Sequence, residues 1–196
     1  MKEIEFWFSI GSTYTFLSVT RLKEVEQKFG VTFSWQPFSV RKIMLEMDNI
    51  PFPPTKKVKA DYMWRDIERR ANNYGFEAKV PAPYPLKEFD LANKIAVLGM
   101  QEGWGAEYVP ATYRRWFVDG LEPGSEPNVS ASLREIGQSP ERVLELAADD
   151  NIRKAYFNQT EQAQSKNIFG SPSYIADGEL FWGDDRLEDA VNWALK

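Results

Sequence analysis

The sequence predicts an α/β fold in which a strand–helix–strand unit opens the chain, a block of helices fills its middle, and a hairpin with a final helix closes it. Three observations carry that prediction. Ile4-Glu5-Phe6-Trp7-Phe8 and Val31-Thr32-Phe33-Ser34-Trp35 are rich in the aromatic and β-branched residues that favour strands, and the apolar residues between them recur at helical spacing. Asp177-Gly178 separates Ser173-Tyr174-Ile175-Ala176 from Glu179-Leu180-Phe181-Trp182, a strong signal for a two-residue hairpin turn. Between these ends one amphipathic helical pattern follows another.

The elements follow in order. Ser9-Ile10-Gly11-Ser12-Thr13 has turn and cap chemistry, so a helix is expected to start near Ser12. Its inward stripe would be Phe16 or Leu17, Val19, Leu22, Val25 and Phe29, with Gly30 as C-cap. Residues from Pro37 to about Pro54 read as a loop bordering a site, because Asn49-Ile50-Pro51-Phe52-Pro53-Pro54 suits neither regular helix nor central strand. A helix from about Lys56 to Tyr74 would bury Tyr62 or Met63, Ile67, Ala71 and Tyr74 and stop at Gly75. After the proline-bounded link Val80–Pro85, helices are expected over Leu86–Met100 and Ala106–Val118, with Pro110 in the first turn of the second. Val129–Ile136 follows, then a short helix capped by Ser139 with Pro140 at its first position, then a helix over about Asp150–Lys166. A terminal helix from about Asp185 to Leu195 would turn Leu187, Ala190, Val191 and Ala194 inward.

At 196 residues the chain suits one domain, with parts 1–40 and 168–196 forming the α/β unit and about 41–167 forming a helical insertion. A net charge of −5 and a pI near 5.0 argue against broad attraction to phosphate backbones, so no nucleic-acid partner is expected. With no basic-then-apolar leader pattern and no long apolar run, no membrane partner is expected and a cytoplasmic location is the default. Two absences narrow the chemistry further, since the chain contains neither Cys nor His. Zinc sites built on thiolate or imidazole are excluded, as are Ser-His-Asp and Cys-His nucleophiles and dithiol exchange by the protein itself. Any thiol chemistry must use a borrowed thiol.

Strand–helix–strand, a helical block, then hairpin and helix is the element order of a thioredoxin-like fold interrupted in its middle. Five pieces in the right order resemble the glutathione-dependent branch of the DsbA-like thioredoxin superfamily, comprising 2-hydroxychromene-2-carboxylate isomerases and kappa-class glutathione transferases. They are Phe6-Trp7-Phe8-Ser9-Ile10-Gly11-Ser12-Thr13-Tyr14-Thr15-Phe16-Leu17, Trp35-Gln36-Pro37-Phe38, Asn49-Ile50-Pro51, Phe169-Gly170-Ser171-Pro172-Ser173, and Phe181-Trp182-Gly183-Asp184-Asp185-Arg186-Leu187. The family usually writes Ser-Pro-Tyr-Ser where this chain has Ser12-Thr13-Tyr14-Thr15.

The resemblance implies glutathione as cofactor, a small aromatic substrate and a homodimer. It implies that Ser12 holds the glutathione sulfur, where a helix start would favour the thiolate. Ser12 as an ordinary N-cap is the other reading, and Ser9 competes for the role. It implies that Pro172 is in cis and that the Ser171 backbone pairs with the cysteinyl backbone; otherwise Pro172 is a trans proline opening an edge strand. At the last helix, capping by at least one of Asp184 and Asp185 is expected, and the resemblance implies that Asp185 meets the γ-glutamyl ammonium and the backbone near Asp184 its carboxylate. Asn49 would frame the active site or form a turn. Arg41, Lys42, Lys56 and Lys57 are solvated surface or the cation for a substrate carboxylate. Trp7, Trp35, Trp64, Trp104, Trp116, Trp182 and Trp193 are core residues, apart from one or two lining an aromatic pocket. The implied activity is glutathione-dependent isomerisation of an aryl pyruvate-type compound; a kappa-like transferase and a non-catalytic binding protein are the alternatives.

Overall fold

A computed structural model describes residues 1–50, 52 and 54–196, so Pro51 of the Asn49-Ile50-Pro51 piece and Pro53 lie outside the described residues. Strand β1 (Lys2–Phe8) pairs in parallel with β2 (Val31–Pro37), from Lys2 opposite Val31 to Phe8 opposite Pro37. Strand β3 (Ser173–Ala176) runs antiparallel to β1, with Trp7 opposite Ser173, and β4 (Glu179–Trp182) runs antiparallel to β3. The strand order is β2-β1-β3-β4. Asp177 at φ 47° and Gly178 at φ 85° turn the hairpin, the two positive φ values that a tight two-residue turn matching strand twist requires.

Strand β1 is buried on both faces, and the period of two divides its side chains. Ile4, Phe6 and Phe8 join the main core, whereas Trp7 packs on the other face with Phe38, Ile43, Ala163 and Ile168.

The single helix expected after β1 is two helices, α1 (Thr15–Val19) and α2 (Leu22–Phe29). Side chains end the first one by taking its carbonyls. Thr20 Oγ1 donates to Phe16 O at 3.0 Å, and Arg21 Nε donates to Leu17 O at 3.0 Å while the same guanidinium reaches Asp184 O at 2.8 Å. The apolar stripe runs through this break unaltered, and Gly30 closes α2 at φ 67° as expected.

The stretch after β2 also departs from the expected loop: α3 (Val40–Glu46) forms there, capped by Ser39, whose hydroxyl accepts from Lys42 N at 3.2 Å. Prolines on both sides masked this short helix. Helix α4 (Lys57–Asn73) buries Met63, Ile67 and Ala71 and leaves Tyr62 exposed. Helix α5 (Leu91–Glu102) starts five residues later than Leu86, since residues 86–90 remain in the link, where the Lys87 amide donates to Glu122. Pro110 lies inside α6 (Gly105–Phe117) rather than in its first turn, leaving Ala106 O without its usual donor four residues on. The remaining helices are α7 (Asn128–Glu135), α8 (Pro140–Ala147), α9 (Asp150–Ser165) and α10 (Leu187–Ala194). Ser139 caps α8 with Pro140 at its first position, and a short 3-10 turn, Asp184–Arg186, precedes α10.

The helices between β2 and β3 share one core with the sheet. Phe16 of α1 stacks on Phe117 of α6 at 4.2 Å between ring centroids, and Tyr108, Tyr113 and Trp116 are fully buried beside it. No helix among the described residues is long and apolar enough to cross a membrane.

Candidate active site

Two cavities open at the end of the sheet where the β1–α1 loop meets the residue before Pro172. The larger, about 690 Å³, is bounded by Ser12 and Ser171 at its floor and by Met44, Leu45, Ile50, Phe52, Tyr84 and Phe89 on its walls. The smaller, about 330 Å³, is polar, with Asp66, Arg70, Asp184, Asp185 and Arg186 around Pro172. Tyr14, Ser171 and Trp182 line both, so they form the boundary where the cavities meet.

Ser171 is the hub. Its side chain accepts from Ser9 N at 2.9 Å and shares a proton with Thr15 Oγ1 at 2.8 Å. Its carbonyl accepts from Ser12 Oγ at 2.6 Å, and among the described residues its amide N–H has no hydrogen-bond partner. The Ser171–Pro172 bond is cis, and Pro172 O accepts from Gly183 N at 3.0 Å. Gly170 lies directly under Trp182: a Cβ there would be 2.1 Å from the indole Nε1.

Ser12 is not a helix cap. Helix α1 begins three residues later at Thr15 with Tyr14 in the cap position, and the Ser12 hydroxyl points to Ser171 instead. Gly11 beside it sits at φ 133°, a conformation that suits glycine. A Cβ at Gly11 would come no closer than 3.6 Å to its nearest neighbour, Leu86, so backbone freedom rather than space requires glycine there. Ser9 is buried, and its hydroxyl is the weaker candidate because it is turned to Val40 N at 3.4 Å.

At the other end of the smaller cavity, Asp184 is 2% exposed. Its Oδ2 lies 2.5 Å from Arg70 Nη2 but off the line of an N–H, so the contact is an ion pair without a hydrogen bond. Burial pushes the Asp184 carboxyl up to about 7, against the pull of Arg70 and then Arg21. Asp185 is half exposed, and its hydrogen bond to Arg186, 2.9 Å, holds its carboxyl below the usual range. Neither aspartate side chain caps α10, since among the described residues neither accepts a hydrogen bond from an amide of that helix. Tyr14 donates to Asp66 Oδ2 at 3.1 Å, and burial raises its phenol, so it stays a proton donor.

The other expected residues divide. Asn49 lines the larger cavity, exposed, with its backbone N–H donating to Met44 O at 2.8 Å. Of the four basic candidates only Arg41 borders it, its guanidinium 3.8 Å from the Phe89 ring centroid. Lys42 and Lys57 are paired with Glu46 and Asp61, each at 2.6 Å, on exposed helix faces. Lys59, which is not among those four, is the second cation at the cavity, over the Phe52 ring. Among the tryptophans, Trp182 is the one that reaches the cavities, while Trp7, Trp104 and Trp116 are core.

Sequence reasoning missed Asp66 and Arg70, whose i, i+4 spacing on α4 places both at the smaller cavity. It also missed Asn93 and Tyr113, which hold the Ser12 loop. Asn93 Oδ1 accepts from Ile10 N at 2.7 Å and its Nδ2 donates to Ile10 O at 2.9 Å; Tyr113 Oη donates to Ser9 O at 3.0 Å and Ser12 O at 3.1 Å. Nothing in the local sequence distinguishes them from core residues.

Comparison with known proteins bears on the chain as a whole. The 2-hydroxychromene-2-carboxylate isomerase of Sphingobium xenophagum is 23% identical over 196 residues, covering 99% of this chain and 98% of that protein. The enzyme of the same name from Pseudomonas sp. (strain C18) is 25% identical, covering 97% of this chain and 91% of that protein. A solved 2-hydroxychromene-2-carboxylate isomerase shares the fold with a TM-score of 0.85 at 24% identity, covering 97% of this chain and 94% of the other. The family model of the DSBA-like thioredoxin domain matches residues 3–192, and with its four-stranded mixed sheet and its helical block the chain belongs to that family.

Proposed function

We propose that the protein is a glutathione-dependent isomerase of aromatic carboxylates resembling 2-hydroxychromene-2-carboxylate. The observation that carries this reading is the meeting of a polar and an apolar cavity at Ser171, with Ser12 beside the junction. The chain lacks Cys, so a thiol nucleophile must come from a bound molecule, and whole-length similarity to isomerases favours that reaction class.

The residues present fit glutathione. The free N–H of Ser171 and its carbonyl offer a strand-like pair to a peptide backbone. In the smaller cavity Arg70 and Arg186 suit a carboxylate, while Asp185 suits the γ-glutamyl ammonium and the backbone near Asp184 its carboxylate. When bound, glutathione supplies a thiolate that adds to an unsaturated carbon and leaves again, allowing the bond between to change geometry.

The protein's own part is positional. Ser12 holds its proton on Ser171 O; once that carbonyl accepts a peptide N–H instead, the Ser12 hydroxyl is free to turn to the larger cavity and donate to a sulfur there. Arg41 and Lys59, which both border the larger cavity, meet an anionic substrate, with Tyr84 and Phe89 covering an aromatic ring. Asn49 frames the same opening.

Isothermal titration with reduced glutathione, followed by an assay on 2-hydroxychromene-2-carboxylate, tests the reading. Saturable binding and turnover with glutathione left unchanged are expected. Stoichiometric consumption of glutathione would make the protein a transferase, and absence of binding would leave a non-catalytic role.

A further inference from the structure

We propose that Asn93 and Tyr113 are positioning residues for Ser12, through which the helical block, rather than the sheet, sets the direction of its hydroxyl. The inference rests on the function proposed above for Ser12 and extends it to two residues that are not among those lining either cavity.

The loop of residues 9–12 leaves β1 and is packed into the protein interior, where unpaired backbone groups are costly. Two of the helices reach it with polar side chains that take its backbone groups. Asn93 of α5, 1% exposed, mimics a strand partner for Ile10 by bonding both its N–H and its C=O. The second hydrogen of the same amide donates to Phe89 O at 2.9 Å, so rotating the amide by half a turn would break all three bonds.

Tyr113 of α6 spans the loop from the other side. Its one hydroxyl proton is shared between the carbonyls of Ser9 and Ser12, which fixes the distance between the loop's two ends. The ring is fully buried, 5.7 Å from Trp116 and 6.4 Å from Phe117 between centroids, so the hydroxyl cannot swing. Burial raises its pKa, and the phenol remains a donor throughout the working range. With Ser12 O and Ser9 O tied, the Ser12 hydroxyl is aimed at the junction between the cavities.

The experiment compares Tyr113→Phe with Tyr108→Phe, an equally buried tyrosine of α6 whose hydroxyl has no hydrogen-bond partner among the described residues. In the ligand-free protein, amide exchange over residues 9–12 should rise about tenfold in Tyr113→Phe, the loss of one net hydrogen bond, and stay unchanged in Tyr108→Phe. With reduced glutathione, the thiolate absorbance followed against pH should give a bound thiol pKa about one unit higher in Tyr113→Phe, a tenfold weaker ionisation. The kcat should fall about tenfold, while affinity for S-methylglutathione, which has no ionisable thiol, stays within about twofold. Should Tyr113→Phe not fold, Asn93→Ala is read in the same way. Unchanged exchange in the loop overturns the inference whether or not glutathione binds. Increased exchange with an unchanged thiol pKa and kcat overturns the link to Ser12. Absence of glutathione binding by the parent protein instead rejects the proposed function.

Discussion

The hydroxyl of Ser12 lies 2.6 Å from the carbonyl oxygen of Ser171, 159 residues away in the chain. That bond joins the loop after β1 to the residue before Pro172 and occupies an acceptor that an incoming peptide would need. In the proposed complex both uses meet at one oxygen atom, and a peptide N–H taking the Ser12 position there would let the Ser12 hydroxyl turn away.

Ser12→Ala removes the donor and leaves Ser171 O open. The expected result is a loss of turnover on the order of 100-fold, as for deletion of a single donor to developing charge. Glutathione affinity, by titration calorimetry, should fall by a smaller factor. Intact turnover in this variant would reject Ser12 as the donor.

Asp185→Asn addresses the smaller cavity. Its carboxylate is half exposed and already shared with Arg186, so the gain from an added ammonium is modest. A glutathione dissociation constant raised about three- to tenfold is expected; an unchanged constant means that Asp66 or Asp184 meets the ammonium instead.

Arg41→Met should act on the other ligand. It removes a charge at the larger cavity while keeping an apolar stem against Phe89. The KM for an aromatic carboxylate should rise about tenfold with glutathione affinity unaltered, and equal changes in both would place Arg41 outside substrate recognition.

Asp184 predicts a pH dependence of stability. Its native pKa of about 7 lies above the ordinary carboxylate value, so the folded state holds the proton more tightly than the unfolded chain. The resulting stabilisation is complete below about pH 4 and is lost as the pH rises to 7. The three-unit interval corresponds to at most about 4 kcal/mol. In urea unfolding at pH 4.5 and 7.5, the stability of Asp184→Asn relative to the parent should therefore increase with pH. A difference that does not vary with pH would show that Arg70 and Arg21 hold the carboxylate ionised.

The strands, the Asp177-Gly178 turn, the Ser139 cap and the final helix were legible because each is decided by neighbouring residues. The break at Thr20 and Arg21 was not, since Arg21 ends α1 by reaching Asp184, 163 residues on. Helix α3 was hidden by the proline content around it, although Ser39 was a usable cap signal. Within the site, the motif residues Ser12, Ser171, Pro172, Asp184 and Asp185 do converge, whereas the choice of Arg41 among four cations needed three dimensions. Asn93 and Tyr113 were invisible because a buried polar residue on a helix gives no sign of which backbone it holds.

Gly170 carries a different kind of constraint. Any side chain there would collide with the Trp182 indole, which stands on the boundary of both cavities and packs edge-on against Phe169 at 4.8 Å. The indole's seat at that boundary is thus defined by a missing methyl group. Position 170 lines neither cavity, yet a side chain there would displace the indole that borders both.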